Sequence, residues 1–148
     1  MNHRDVSIII FYDKEHNILL QDRKGLSKSG AEFGFFGGGI EKGETPKQAV
    51  IRETQEELSF DLKEFEYLGV VEHHDPKISR TFHVFIAPLG NNLSKFDQKE
   101  GKMMKMCSIA QARALKLFFL DHAVLDSLEK KFSMINIDDP DDVLYRLS

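Results

Sequence analysis

Three glutamates, Glu53, Glu56 and Glu57, fall within one short stretch of the chain, and Arg52 directly precedes them. On a helix turning about 100° per residue, their carboxylates share an arc of about 100°, next to the arc held by Val50, Ile51, Thr54 and Leu58. The acids therefore border the apolar stripe instead of opposing it. Carboxylates crowded in this way repel one another, and a hard divalent cation, Mg2+ or Mn2+, relieves that repulsion through oxygen ligands. Arg52 could hold one of the acids by a charge-assisted hydrogen bond. Taken alone, the triplet also describes a solvated helix face carrying i,i+3 and i,i+4 pairs.

The residues upstream shift that balance. Gly37, Gly38 and Gly39 let a backbone approach a ligand or ion closely, and Glu44 adds a fourth acid. Glycine carbonyls of such a loop can complete a coordination shell that the helix carboxylates begin. The spacing Gly38-x4-Gly43-Glu44-Thr45 is that of a P-loop, but Glu44 stands where a P-loop needs lysine to meet phosphate. The sign is inverted, and a P-loop is excluded.

The elements that must position these groups can be read from the pattern. β-branched and aromatic runs at 6–12 and 17–23 predict a hairpin-like pair of strands around a polar turn. Residues 24–34 read as a flexible loop, 33–36 as a short aromatic strand, and the three glycines after it as lying outside regular structure. Thr45-Pro46-Lys47-Gln48 is a helix start with a capping box and proline at the first helical position, predicting a helix over 46–58. Further strands are expected at 65–73, 80–87 and 102–107, and helices at 109–116 and 121–132; residues 138–147 could add one more. Strands interspersed with helices imply an α/β fold, a mixed sheet with helices on its faces.

The chain has 148 residues, 41% hydrophobic and 30% charged, enough for one core and one domain spanning 1–148. Its 20 Lys and Arg against 24 Asp and Glu leave a net charge of −4, which offers no field to gather nucleic acid or anionic membrane. An anionic substrate would need a metal or a few placed cations. The single cysteine, Cys107, cannot form an internal disulfide, no apolar run reaches the ~20 residues of a membrane span, and the N-terminus lacks a signal-peptide cleavage site. A reduced, cytoplasmic setting is the expectation. His73-His74-Asp75 is rejected as a zinc site, because neighbours on a strand point to opposite faces. Met103, Met104 and Met106 are expected to pack in a strand or core.

The segment Gly38 to Phe60 resembles the Nudix box, G-x5-E-x7-R-E-U-x-E-E-x-G-U, where U is a bulky apolar residue. Gly38, Glu44, Arg52, Glu53, Glu56, Glu57 and Phe60 fit, while Thr54 replaces an apolar residue and Ser59 the closing glycine. Neither departure removes a ligand; Thr54 can pack through its methyl, and Ser59 would have to form a left-handed cap at a cost of about 1 kcal/mol. Arg23, Phe35 and Glu100-Gly101 extend the resemblance to the MutT-like branch.

The resemblance implies an α/β/α sandwich that hydrolyses a nucleoside diphosphate linked to another group, using Mg2+, with Mn2+ possible. On these positions Glu53, Glu56 and Glu57 would bind metal, with the Gly38 carbonyl region assisting, and Arg52 would orient Glu53. Glu44 would support the loop or reach a second ion through water. Glu100 and Glu53 compete as the group that takes the proton from the attacking water, and Glu100 could also meet metal. Gly37, Gly38 and Glu44 would also border the substrate. Arg23 and Phe35 could clamp a base or ribose, or serve as a solvated strand end and a core residue. Asp121 could read a base edge or simply cap a helix. Lys24 and Lys28 could meet phosphates or remain solvated. A small nucleotide is the expected partner, with no nucleic acid and no membrane; a homodimer is possible, since homodimers are frequent in this family. A nucleoside triphosphate cleaved to monophosphate and pyrophosphate is the first substrate reading, and ADP-ribose or another nucleotide sugar the second. A nucleotide sensor that keeps the fold without cleaving is the third.

Overall fold

The computed structural model describes residues 3–27, 29–97 and 103–134. At its centre runs strand β1 (His3–Tyr12), whose four successive buried residues Ile8, Ile9, Ile10 and Phe11 explain why the run shows no polar alternation. Ile8 and Ile10 enter one core, Ile9 and Phe11 the other, so the strand is covered on both faces. It pairs in parallel with β6 (Ser79–Pro88) over its whole length, from His3 opposite Ser79 to Tyr12 opposite Pro88. β6 in turn pairs antiparallel with the edge strand β5 (Glu66–His74).

On its other side β1 meets two partners. The strand β2 (Ile18–Asp22) touches it only where Tyr12 faces Ile18, so the expected hairpin closes at its turn and then splays apart. Into the gap run β3 (Phe33–Gly34), which pairs with β2, and β4 (Phe36–Gly39), which pairs with β1. The three glycines thus belong to a strand, contrary to the expectation that they lie outside regular structure. A side chain on Gly37, at φ +143°, would collide with the Ser7 carbonyl, so the pairing with β1 itself demands glycine there. β7 (Met104–Cys107) adds to the far side of β2.

Helix α1 (Pro46–Leu58) forms as its sequence directs. The Thr45 hydroxyl accepts from the Gln48 N–H and the Gln48 side chain accepts from the Thr45 N–H. Ser59 closes the helix in the left-handed region at φ 52°. α1 covers the face holding Ile9, Phe11, Leu19 and Phe36. The opposite face is covered by α2 (Ile109–Arg113), which a second capping box of Ser108 and Gln111 starts, and α3 (Phe119–Ser133). The result is the expected α/β fold, helices on both faces of a mixed sheet. Met104 and Met106 pack toward the α1 core as expected, but Met103 is exposed, one residue ahead of β7. Among the described residues no helix is long and apolar enough to cross a membrane.

Candidate active site

The acids gather where α1 lies against β4. Arg52 is their hub: Nε and Nη2 donate in parallel to the two carboxylate oxygens of Glu44 at 2.8 and 2.9 Å. Its Nη1 donates to Glu53 Oε1 at 2.8 Å and to Glu56 Oε2 at 3.2 Å, and Nη2 also reaches the Gly39 carbonyl at 3.0 Å. The planar, multiply donating guanidinium suits this role in a way a lysine does not. Arg52 holds the Glu44 carboxyl down at about 2, helped by the Glu41 N–H, and Glu44 in return keeps Arg52 more firmly protonated than usual. Glu44 therefore braces the loop to the helix.

Glu57 is buried, and its Oε1 accepts the Gly37 N–H at 2.8 Å. Glu53 is half-buried and its carboxylate stands so close to Gly38 that a Cβ there would lie 2.5 Å from it. Glu56 is exposed. The mutual repulsion read from the sequence is therefore offset within the chain itself, by Arg52 and by a backbone amide.

The donor set is entirely hard oxygen, and a cradle that only glycine leaves open lies beside Glu53, so the residues present fit a divalent ion of the Mg2+ or Mn2+ type. Among the described residues no three acidic, histidine or cysteine side chains already converge as a closed metal cage. Coordination by Glu53, Glu56 and Glu57 together would require them to share their oxygens between Arg52, Gly37 and the ion.

The remaining expectations divide. Arg23 lies one residue past β2, half-buried, with its N–H donated to the Glu32 carbonyl and its stem beside Gly34. Phe35 is buried in the core under α3. Asp121 is not a helix cap: the cap position falls on Phe118, and Asp121 lies in the first turn of α3. The reason is that α3 begins two residues earlier than the apolar periodicity indicates. Asp121 is buried, and that burial pushes its carboxyl up to about 7 against the opposing pull of the Phe118 backbone. Lys24 lies over the Phe33 ring and near Asp22. Glu100, Lys28 and the segment 138–147 fall outside the described residues.

His73 and His74 do point apart. His73 sets its ring edge-on to Phe119, whereas His74 meets Ser79 and Glu72. Cys107 is buried, and burial raises its thiol, as suits packing better than reactivity. The sequence reading missed Phe119, a residue 46% exposed at the start of α3, two residues from Asp121 and with its ring centroid 4.7 Å from that of Phe118. In the sequence it is one of several apolar residues in a row, and nothing there says which faces out. A cavity of about 500 Å3 opens behind the end of α1, lined by Phe11, Phe60, Asp61, Lys63, Glu64 and Lys95, and none of Glu44, Glu53, Glu56 and Glu57 borders it.

The family model for the NUDIX domain matches residues 1–128. An 8-oxo-dGTP diphosphatase of Proteus vulgaris is 33% identical over 92 residues, which are 62% of this chain and 80% of that protein. Of solved structures, the E. coli ORF135 protein superposes with a TM-score of 0.73 at 24% identity, covering 90% of this chain and 93% of that one. The MutT protein of Methanosarcina mazei Go1 superposes with a TM-score of 0.74 at 15% identity, covering 90% and 97%. At such identities the two structures attest the fold alone, and it is the same sandwich. With the family match spanning most of the chain and the box residues knitted together at the β4–α1 junction, this protein belongs to the NUDIX domain family and is a MutT-like Nudix hydrolase.

Proposed function

We propose that the chain is one catalytic domain that cleaves a nucleoside triphosphate, ribo or deoxy, to the monophosphate and pyrophosphate. The observation that carries this reading is the cluster of Glu53, Glu56 and Glu57, held by Arg52 and Gly37 against the open backbone of Gly38. The relative from Proteus vulgaris, named for 8-oxo-dGTP, supports a nucleoside triphosphate over a nucleotide sugar.

A divalent ion, Mg2+ first and Mn2+ second, would supply the positive charge that neutralises the diphosphate for in-line attack. Glu53, Glu56 and Glu57 would hold it, with the Gly38 carbonyl region assisting. Arg52 keeps Glu53 and Glu56 aimed at the loop, and Glu44 keeps Arg52 in place. Glu53 or Glu100 takes the proton from the attacking water. On the α3 side of the sheet, Phe119 offers an exposed ring on which a base can stack, and Asp121 a carboxyl that near neutral pH can donate or accept a hydrogen bond. Arg23 completes the substrate contacts, and Phe35 supports the wall from within the core. Nothing among these residues requires a nucleic acid or a membrane as partner.

The test is a screen of nucleoside triphosphates including 8-oxo-dGTP, ADP-ribose, dinucleoside polyphosphates and nucleotide sugars, each with Mg2+. Pyrophosphate released from a triphosphate, and its loss in Glu57→Gln, is the expected result. Turnover of ADP-ribose alone would move the assignment to the nucleotide-sugar class. Binding without turnover would identify a sensor.

A further inference from the structure

Gln21 is fully buried in β2, and its side chain stands on the α1 side of the sheet with Leu19 and Met104. Its Nε2 donates to the Phe35 carbonyl at 3.0 Å. The amide orientation is fixed by that acceptor, which leaves Oε1 buried without a partner among the described residues. A half-satisfied buried amide is costly, and a leucine or methionine would fill the same space without the penalty.

The place of that hydrogen bond in the fold accounts for the cost. Phe35 belongs to neither strand: β3 ends at Gly34, opposite Gln21 itself, and β4 begins at Phe36, opposite Ile9. Here the chain leaves the half of the sheet built on β2 and joins the half built on β1. Two residues later the Gly37 N–H is the group that Glu57 accepts, and one further on is Gly38, against Glu53. The Phe35 ring meanwhile supports the opposite, α3 side.

We propose that Gln21 is a positioning residue. By holding the Phe35 carbonyl at the crossing between the two half-sheets, it sets the height of the Gly37–Gly38 backbone against Glu57 and Glu53, and so the readiness of the site for its metal. The inference rests on the reading of those glutamates as ligands.

The test compares wild type with Gln21→Leu and Gln21→Glu. Amide hydrogen exchange in metal-free protein gives the protection of Gly37 relative to Ile9 and Ile10 in β1, and calorimetry with Mn2+ alone gives the affinity. In Gln21→Leu the Gly37 protection falls at least tenfold while the β1 amides hold, Mn2+ binds several-fold more weakly, and kcat falls more than KM rises. Gly37 protection and Mn2+ affinity both within twofold of wild type overturn the proposal. Should Gln21→Leu not fold, Gln21→Glu decides. Its carboxylate cannot donate to Phe35, but the protonated acid can, so Gly37 protection relative to wild type at the same pH must recover on acidification, and a ratio that ignores pH overturns the proposal. Wild type that takes up no Mn2+ overturns the ligand reading instead, and with it the metal half of this inference.

Discussion

Arg52 decides how the acidic cluster is tolerated. Charges crowded beside a buried stripe need an opposite charge, and the sequence argument assigned that task to an ion; the structure assigns a large share of it to a guanidinium one residue from Glu53 and one helical turn from Glu56. The three glutamates then differ by depth. Glu56 is exposed, so Glu56→Gln should leave Tm unchanged while lowering kcat by about 10³, roughly 4 kcal/mol of transition-state stabilisation. Glu57→Gln keeps a side-chain oxygen able to accept the Gly37 N–H, so Tm should again hold while kcat falls by a similar factor. Thermal melts alongside steady-state kinetics check both, and equal turnover in either variant removes that residue from the site.

Two elements, β4 and α1, carry the residues to which the proposed chemistry is assigned, and each can be tested for what it contributes. Gly37 and Gly38 are neighbours with different reasons to be glycine. A methyl on Gly37 strikes the Ser7 backbone at a left-handed φ, and neither can yield, so Gly37→Ala should cost several kcal/mol and lose the folded protein at moderate urea. A methyl on Gly38 meets first the carboxylate of Glu53, a side-chain end that can swing aside by giving up its bond to Arg52, so Gly38→Ala should cost far less stability than Gly37→Ala and lose activity as Glu53 is pushed aside. Urea titration and activity of the two variants distinguish the cases. At the other end of α1, Ser59 holds a left-handed cap in an exposed position, and Ser59→Gly should raise stability by about 0.5–1 kcal/mol without changing kcat. A lower urea midpoint would show that the Ser59 side chain has a role of its own.

At the scale of the molecule, the sheet separates two chemistries: the carboxylates lie on the α1 face, while Asp121 and Phe119 lie with α3 on the other. The burial that puts Asp121 there makes stability depend on pH. Its carboxyl ionises near the ordinary value of 3.8 in the unfolded chain and at about 7 in the folded one, so between those values the folded state holds the extra proton. Its contribution is complete below pH 4 and is lost as pH rises through 7. Asp121→Asn removes the titration, so the Tm of the variant relative to wild type should increase from pH 5 to pH 8, and scanning calorimetry across that range is the check. A difference in Tm that stays constant with pH would mean that Asp121 does not titrate as its burial dictates.

The helix that carries the acids was legible in local sequence because its causes are local. Thr45, Pro46 and Gln48 start it, Ser59 ends it, and the spacing of Glu53, Glu56 and Glu57 puts them on one arc whatever the rest of the chain does. The Nudix box was legible for the same reason. What depends on contacts distant in sequence was not. The glycines look like a loop until β1 supplies a partner strand 30 residues away in register, with Ser7 opposite Gly38. Asp121 looks like a cap until α3 packs down and buries it, and Phe119 is only one apolar residue in a row until the same packing leaves it outside. Sequence alone determined which groups could hold a metal and on which helix face they stand, since a helix sets its own geometry. Tertiary structure alone decided which of them are buried, what compensates their charge, and what faces them across the sheet, since burial and long-range pairing belong to the folded chain as a whole.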